Sequence, residues 1–227
     1  MYKIEELINK VHCADCLEFM KQLQDKSIDL VLTDPPYGID FKSNMRVMSK
    51  KFDKLENDDN DSRFMAYKEY SRILNDNSVV VIFCSFKNYA VDYLELEKYF
   101  DIKNAIIWWK GGGGIGDLKH SMFTDYEIAI IGHKGKRMIN GKREGSVWKV
   151  NKVNPNKMQH PTEKPYPLLQ KFLLQFSNED DVVLDSYAGS GSHLVASQNL
   201  HRNFIGIELE EKYCQIARER LRQKPLF

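Results

Sequence analysis

Long apolar runs and export signals are both missing from the sequence, and each absence excludes a class of protein. The longest purely apolar stretch, VVVIFC, is far shorter than the ~20 residues that a helix needs to cross a bilayer. The first residues, MYKIEELINK, do not form the basic-then-apolar pattern of a secretion signal. We therefore predict a cytoplasmic protein that has no membrane partner.

Cysteine is scarce, at four in 227 residues. In a chain without a secretion signal, Cys13, Cys16, Cys84 and Cys214 are expected to remain reduced thiols. Cys13 and Cys16 form a C-x-x-C pair, but a second pair that would complete a zinc site is missing. We therefore predict no bound metal.

The net charge is low, at +1, but the basic residues are unevenly distributed. Eight lysines and arginines and a single acid lie between Lys134 and Lys157, and five basic residues and one acid lie between Lys42 and Lys54. One basic run is usually a solvated surface. Two such runs favour a polyanionic partner.

Strand-like and helical segments alternate along the chain, which favours an α/β fold built on a mainly parallel sheet. The strand candidates are KVHCA, SIDLVLT, VVVIFC, NAIIWW, YEIAIIG, DVVLD and NFIGIE, and helical patterns lie between most of them. No repeat or clear linker divides the sequence, so we predict a single domain over residues 1–227. Residues 134–160, which contain the larger basic run, are predicted to be an insertion that contacts the polyanion.

A stiff corner, TDPPYGID, follows the strand candidate SIDLVL. Pro35 and Pro36 have fixed φ angles and donate no backbone hydrogen bond, so they must end the strand. The corner therefore holds the Asp34 carboxylate, the Pro35 carbonyl and the Tyr37 ring in fixed directions. An ordinary turn would be the simpler interpretation of two prolines alone.

The stretch VVLDSYAGSGSHLVA has the pattern of a strand, a glycine loop and the start of a helix. Gly189 and Gly191 allow a tight turn and a close approach of the backbone to a ligand, whose anionic part the helix amides favour. Glu208 ends the next strand, 23 residues after Asp185, where an acid can accept hydrogen bonds from ribose hydroxyls. The dinucleotide fingerprint is incomplete, because Leu194 stands where it needs glycine or alanine.

These motifs together resemble those of the amino-directed DNA methyltransferases. DPPY is similar to the catalytic motif of this family, DSYAGSG to its S-adenosylmethionine loop, GIELEEKYCQIA to its ribose-binding strand and helix, and HPTEKP to the segment before the first helix of the cofactor half. The catalytic motif precedes the cofactor loop, as in the circularly permuted β group. The resemblance implies a Rossmann-like methyltransferase fold, with helices on both faces of a mostly parallel sheet, in a bacterial or phage-infected cell.

The resemblance also implies roles for individual residues. Asp15 would meet the adenine amino group of S-adenosylmethionine, although a turn at the end of a strand explains it equally well. The cofactor-binding candidates are Asp15, Thr162, Lys164, Asp185, Tyr187, Gly189, Gly191 and Glu208. The family pattern has threonine where this chain has His193, which leaves the role of that histidine open.

The stiff corner fits methyl transfer to an exocyclic amine, whose lone pair is delocalised into the base. Asp34 and the Pro35 carbonyl can each accept one N–H bond and direct the lone pair, while Tyr37 stacks on a base flipped out of the duplex. We predict adenine N6 as the acceptor, because Asp before the prolines resembles the adenine enzymes. Cytosine N4, with the same amine geometry, is the alternative.

DNA, expected to be double-stranded, is the predicted partner, and a homodimer is an expectation carried over from the family. The candidate phosphate contacts are Lys42, Arg46, Lys50, Lys134, Lys136, Arg137, Lys142 and Arg143. The GGGGIG loop is predicted to lie near the DNA, and strand alternation is expected to bury at least one of Trp108 and Trp109. An RNA or protein substrate, or a cofactor-sensing binder without turnover, remains the alternative.

Overall fold

The predicted alternation of strands and helices is confirmed in a computed structural model that describes residues 3–36, 60–112, 119–120, 122–153 and 163–223. The elements are α1 (Ile4–Leu7), β1 (Lys10–Cys13), α2 (Cys16–Met20), β2 (Ile28–Thr33), α3 (Asn60–Ile73), β3 (Leu74–Cys84), α4 (Tyr89–Leu96), β4 (Asp101–Trp109), β5 (Tyr126–Lys134), β6 (Val147–Lys149), α5 (Tyr166–Phe176), β7 (Val182–Asp185), α6 (Ser192–Asn199), β8 (Asn203–Glu208) and α7 (Glu211–Arg222). Among the described parts of the chain, no helix is long and apolar enough to cross a membrane.

Eight strands form one mixed sheet in the order β1-β8-β7-β2-β3-β5-β4-β6. Neighbouring strands from β1 to β3 all pair in parallel, as does β6 with β4. β5 is antiparallel to both of its neighbours, β3 and β4. The sheet is therefore mostly parallel, as the sequence predicts, with one reversed strand.

Alternate side chains along the strands divide the core into two faces. On β3, Val80 and Ile82 join the cluster of α2, α3 and α4, which includes Tyr67 and Tyr70. Val79, Val81 and Phe83 on the same strand join the cluster of α5 and α6 on the other face. Helices therefore cover both faces. A third apolar cluster joins α6 to α7 and contains Leu194, Cys214 and Ala217.

The centre of the sheet places the two predicted motifs side by side. β7 and β2 are parallel neighbours, with Leu30 opposite Val183 and Val31 opposite Leu184. After β2 the chain continues to α3 on one face of the sheet, and after β7 it continues to α6 on the other face. Where neighbouring strands lead to opposite faces in this way, a crevice opens at their carboxyl ends, and ligands of open α/β sheets bind there. The stiff corner and the glycine loop both leave the sheet at this point.

Two elements were missed by the sequence patterns. The helix α1 is only four residues long, and β6, three residues long, lies within the basic run that was predicted to be an insertion. Trp148 of β6 is buried in the core, so part of this run belongs to the sheet. The expectation for the tryptophan pair is confirmed, since Trp108 is 2% exposed and Trp109 is 39% exposed.

Candidate active site

The stiff corner is attached to the end of the neighbouring strand by a buried hydrogen bond. Thr33, the last residue of β2, donates from Oγ1 to Asp185 Oδ1 over 2.7 Å. Asp34 follows with its side chain 9% exposed, and Arg63 donates to the Pro36 carbonyl over 3.2 Å. Asp34, Pro35 and Pro36 therefore lie at the crevice; the predicted stacking residue Tyr37 lies outside the described residues.

A buried lysine forms an ion pair with the Asp34 carboxylate. Lys164, 5% exposed, donates from Nζ to Asp34 Oδ2 and lies 3.1 Å from Glu127 Oε2. Burial alone lowers the pKa of Lys164, but the two carboxylates outweigh burial and raise the pKa to about 12. The resemblance implies that Lys164 binds the cofactor; in the structure its ammonium lies on Asp34, and contact with the cofactor stays a prediction. Its companion Thr162 is outside the described residues.

Glu127 extends this pair into a row of alternating charges. Its Oε1 lies 3.0 Å from Lys110 Nζ, so the order is Lys110, Glu127, Lys164, Asp34. Burial acts to raise the pKa of Glu127, but Lys164 and Lys110 hold the pKa below its ordinary value. The Lys164 ammonium also lies 4.8 Å from the centroid of the Phe83 ring. Sequence reasoning missed Glu127; an acid at the start of the otherwise apolar YEIAIIG strand was the available signal.

Asp185 organises the cofactor loop from beneath and is fully buried. Besides the bond from Thr33, its carboxylate accepts from the Tyr187 amide at 3.2 Å. His193 Nδ1 lies 2.7 Å from the other oxygen, Asp185 Oδ2. His193, which stands where the family pattern has threonine, thus joins the start of α6 to the end of β7. Burial keeps the pKa of Tyr187 well above its ordinary value.

The glycine loop has the backbone geometry of a cradle. Gly189 and Gly191 have positive φ angles of 49° and 78°. A Cβ on Gly191 would lie 2.9 Å from Ala217 Cβ of α7, so the loop could not pack this closely with a larger residue. The tight turn that the sequence predicts at these glycines is therefore present, and its contact with a cofactor stays a prediction.

Glu208 is held at the mouth of this cradle. Its Oε2 accepts from the Gly189 amide and its Oε1 from the Glu210 amide, both over 2.8 Å. Burial outweighs these two bonds and raises the pKa of Glu208 above its ordinary value. Each carboxylate oxygen keeps a second lone pair, so the oriented group can still accept bonds from two ribose hydroxyls. A carboxylate beside a glycine cradle fits the nucleoside part of S-adenosylmethionine.

Asp15 lies close to this acid but also has a local structural role. Ala14 donates its amide to the Glu208 carbonyl over 2.9 Å, which places the next residue beside the end of β8. Asp15 Oδ1 accepts from the Glu18 amide over 3.0 Å and caps α2. This contact agrees with the simpler interpretation of Asp15 as a turn residue at the end of a strand. Contact of Asp15 with the adenine of the cofactor stays a prediction.

Lys134, the first of the five described basic candidates, lies at the other edge of the sheet. Lys134 is paired with Ser78, near the beginning of β3, whereas Asp34 follows the end of β2. The seven residues from Ser78 to Cys84 separate the two edges by roughly 20 Å. Lys134 donates to the carbonyls of Ser71 and Leu74 over 2.7 and 2.6 Å.

Three of the other four described members of this basic set are exposed to solvent. Arg137 lies 3.7 Å from Asp181, and Lys136, Lys142 and Arg143 are exposed. Lys42, Arg46 and Lys50 lie outside the described residues. Of these candidates, Lys134 lies at the edge opposite Asp34, and DNA contact by any of the eight stays a prediction.

The fold and the site define a methyltransferase that uses S-adenosylmethionine, and comparisons with known proteins agree. A family model described as DNA methylase matches residues 28–219, and this chain belongs to that family of amino-directed DNA methyltransferases. It is 31% identical over 251 residues to the type II methyltransferase M.HinfI of Haemophilus influenzae, covering 97% of this chain and 70% of that protein.

Two further relatives cover most of both chains. The DNA adenine methyltransferase YhdJ of Escherichia coli K12 is 29% identical over 244 residues, which cover 92% of this chain and 81% of that protein. A crystal structure of M1.HpyAVI in complex with S-adenosylmethionine is 28% identical and superposes with a TM-score of 0.76. The superposition covers 94% of this chain and 99% of that chain. The chain is thus a DNA methyltransferase that uses S-adenosylmethionine.

Proposed function

We propose that this protein methylates the N6 amino group of adenine in double-stranded DNA at a short specific sequence. The observation that carries the proposal is the buried, lysine-paired Asp34 at the proline corner, beside the glycine cradle. The adenine choice is supported by aspartate rather than serine before the prolines and by the relative YhdJ, which is a DNA adenine methyltransferase. The type II names of other relatives support a role in restriction–modification, and a homodimer remains an expectation.

The chemistry follows from acceptors that the corner holds in place. S-adenosylmethionine, when bound, supplies an electrophilic methyl group. The adenine amine is a weak nucleophile, and an amine that donates to Asp34 and to the Pro35 carbonyl would be held with its lone pair directed out of the ring plane. Lys164 donates to Asp34 Oδ2 and so fixes the direction of the carboxylate that we assign to the amine. The negative carboxylate also stabilises the positive charge that develops on the nitrogen.

Lys164 and Glu127 would serve as positioning residues for this carboxylate. The ammonium favours the ionised form of Asp34, which accepts hydrogen bonds and donates none. Glu127 holds the same ammonium from the other side at 3.1 Å. A fixed acceptor needs no reorganisation when the amine arrives, which is the advantage of a preorganised site.

The edge of the sheet that carries Asp34 also offers a surface for nucleic acid. Trp109, at the end of β4, is 39% exposed, and Lys149 Nζ lies 4.7 Å from its ring centroid. Phe86 and Phe123, at the same edge of β3 and β5, are 69% and 61% exposed. Exposed rings and cations are the groups that bind unstacked bases and phosphates. We infer that DNA approaches this edge.

The direct test is methyl transfer from labelled S-adenosylmethionine to unmethylated genomic DNA, with nucleoside analysis of the product. The expected product is N6-methyladenine at one sequence. N4-methylcytosine, which the shared amine geometry allows, would overturn the base assignment and keep the mechanism. Cofactor binding without transfer to DNA would refute the proposal and favour an RNA or protein substrate, or a non-catalytic binder.

A further inference from the structure

Two cysteines that are distant in sequence meet beside an acid at the end of β1. The thiol sulfurs of Cys13 and Cys214 and a carboxylate oxygen of Glu211 all lie within 4.8 Å of one another. Cys13 ends β1, while Glu211 and Cys214 are three residues apart in the first turn of α7 and therefore share a face. We propose that these three side chains form a binding site for a thiophilic divalent cation of the zinc class.

The spacing fits one ion bound by all three groups. Zinc takes thiolates at ~2.3 Å and carboxylate oxygens at ~2.0–2.2 Å, so ligand atoms around one tetrahedral ion lie ~3–4 Å apart. Small side-chain rotations would bring the three atoms to those distances. Cys13 and Glu211 are exposed, which gives the ion a path from solvent and leaves a fourth position for water.

The electrostatic environment favours a cation at this point. Cys13 Sγ lies 3.5 Å from the Leu209 carbonyl oxygen, and Cys214 Sγ lies 3.5 Å from the Glu208 carbonyl oxygen. These two carbonyl oxygens and the Glu211 carboxylate therefore bring negative charge close to the sulfurs, and a bound ion must displace the thiol protons.

One neighbouring cation competes with the ion. Arg218 Nη1 lies 3.0 Å from Glu211 Oε1 and donates through Nη2 to the Val11 carbonyl over 2.9 Å. The ion would bind only one oxygen of the Glu211 carboxylate. Arg218 can move away from that carboxylate and still keep its hydrogen bond to the Val11 carbonyl. The proposed metal site takes no part in methyl transfer. It is nevertheless close to the cofactor half, because Cys13 of β1 lies opposite Glu208 of β8 in the sheet. An ion that joins β1 to α7 should stabilise the cofactor half against unfolding.

Titration of the metal-free, reduced protein with Cd²⁺ or Co²⁺ tests the site by its thiolate-to-metal charge-transfer absorbance. We expect one equivalent to bind, protons to be released, and the melting temperature to rise. Cys13→Ser should weaken binding by at least about tenfold, since even outer-shell changes cost 10–100-fold. Cys16→Ser, which changes the other cysteine of the same C-x-x-C pair, is the matched control and should bind normally.

Several results would overturn the proposal. Absence of the absorbance band at one equivalent would do so, as would a band that survives Cys13→Ser or disappears in Cys16→Ser. Glu211→Gln keeps both thiols and the side-chain volume, and it should bind the ion more weakly than the parent protein. Unchanged metal affinity in Glu211→Gln would show that the carboxylate does not bind the ion. These readouts need no DNA, so a failed methylation assay has no bearing on them.

Discussion

The two edges of the sheet carry charge in opposite ways. At the carboxyl edge, Asp34, Glu127 and Lys164 form a row of partly or fully buried ions in which each charge faces its opposite. At the amino edge, before β2 and near the start of β3, Lys26 and Asp76 form an ion pair whose side chains are 56% and 65% exposed. Ions are therefore buried at the edge that carries the proposed site and solvated at the opposite edge. The predictions below test that difference, beginning with the largest expected effect.

Removing the proposed catalytic carboxylate should have the largest effect. Asp34→Ala is expected to lower kcat by at least about 10²–10³-fold, because the amine loses a preorganised acceptor. Binding of S-adenosylmethionine, measured by calorimetry, should survive. Asp76→Ala is the control, because Asp76 is an exposed acid near the amino edge, in an ion pair with Lys26. Near-normal turnover by Asp34→Ala would show that the proposed mechanism is wrong.

Replacing a lysine at each edge should separate buried from solvated charge. Lys164→Met leaves the Asp34 carboxylate without its buried partner and should lower the free energy of unfolding by about 3–5 kcal/mol. Lys134→Met removes only hydrogen bonds to two carbonyls and should cost about 1–2 kcal/mol. Urea unfolding measures both. Equal losses in the two variants would contradict the contrast between the edges.

The same ion row predicts a stability change at alkaline pH. Because the folded-state pKa of Lys164 is raised from 10.5 to about 12, its contribution is complete below pH 10.5 and is lost as pH rises towards 12. A rise of this size in the pKa of Lys164 corresponds to about 2 kcal/mol. The measurement is the difference in unfolding free energy between the parent protein and Lys164→Met across this range. That difference should shrink with pH, and a constant difference would count against the assignment.

The smallest expected effects concern DNA docking. Lys149→Ala should raise the KM for DNA a few-fold, and the logarithm of DNA affinity should depend less steeply on salt, as expected for one lost phosphate contact. Trp109→Ala should also weaken DNA binding, by ~1–3 kcal/mol if the ring stacks on a base. Lys26→Ala, which changes an exposed lysine at the amino edge, is the matched comparison and should leave DNA binding nearly unchanged. The reverse pattern would contradict DNA docking at the carboxyl edge.

Much of the fold could be predicted because its signals are local. The apolar strands and the amphipathic α5 and α7 are recognisable within a few residues, and each was confirmed. The short strand β6 was missed because three residues, VWK, give too little periodicity to distinguish them from a basic loop. The reversed direction of β5 was also not predicted, since side-chain alternation is the same in parallel and antiparallel strands.

The sequence by itself determined the corner and the cradle. Proline fixes φ at Pro35 and Pro36, and glycine permits the positive φ of Gly191, wherever these residues occur. The tertiary structure alone decided that Lys164 lies on Asp34, 130 residues away, and that Cys13 faces Cys214 rather than Cys16. It also placed Lys134 at the edge opposite Asp34. Such meetings depend on strand order and direction, which long-range packing sets and local residue preferences do not encode.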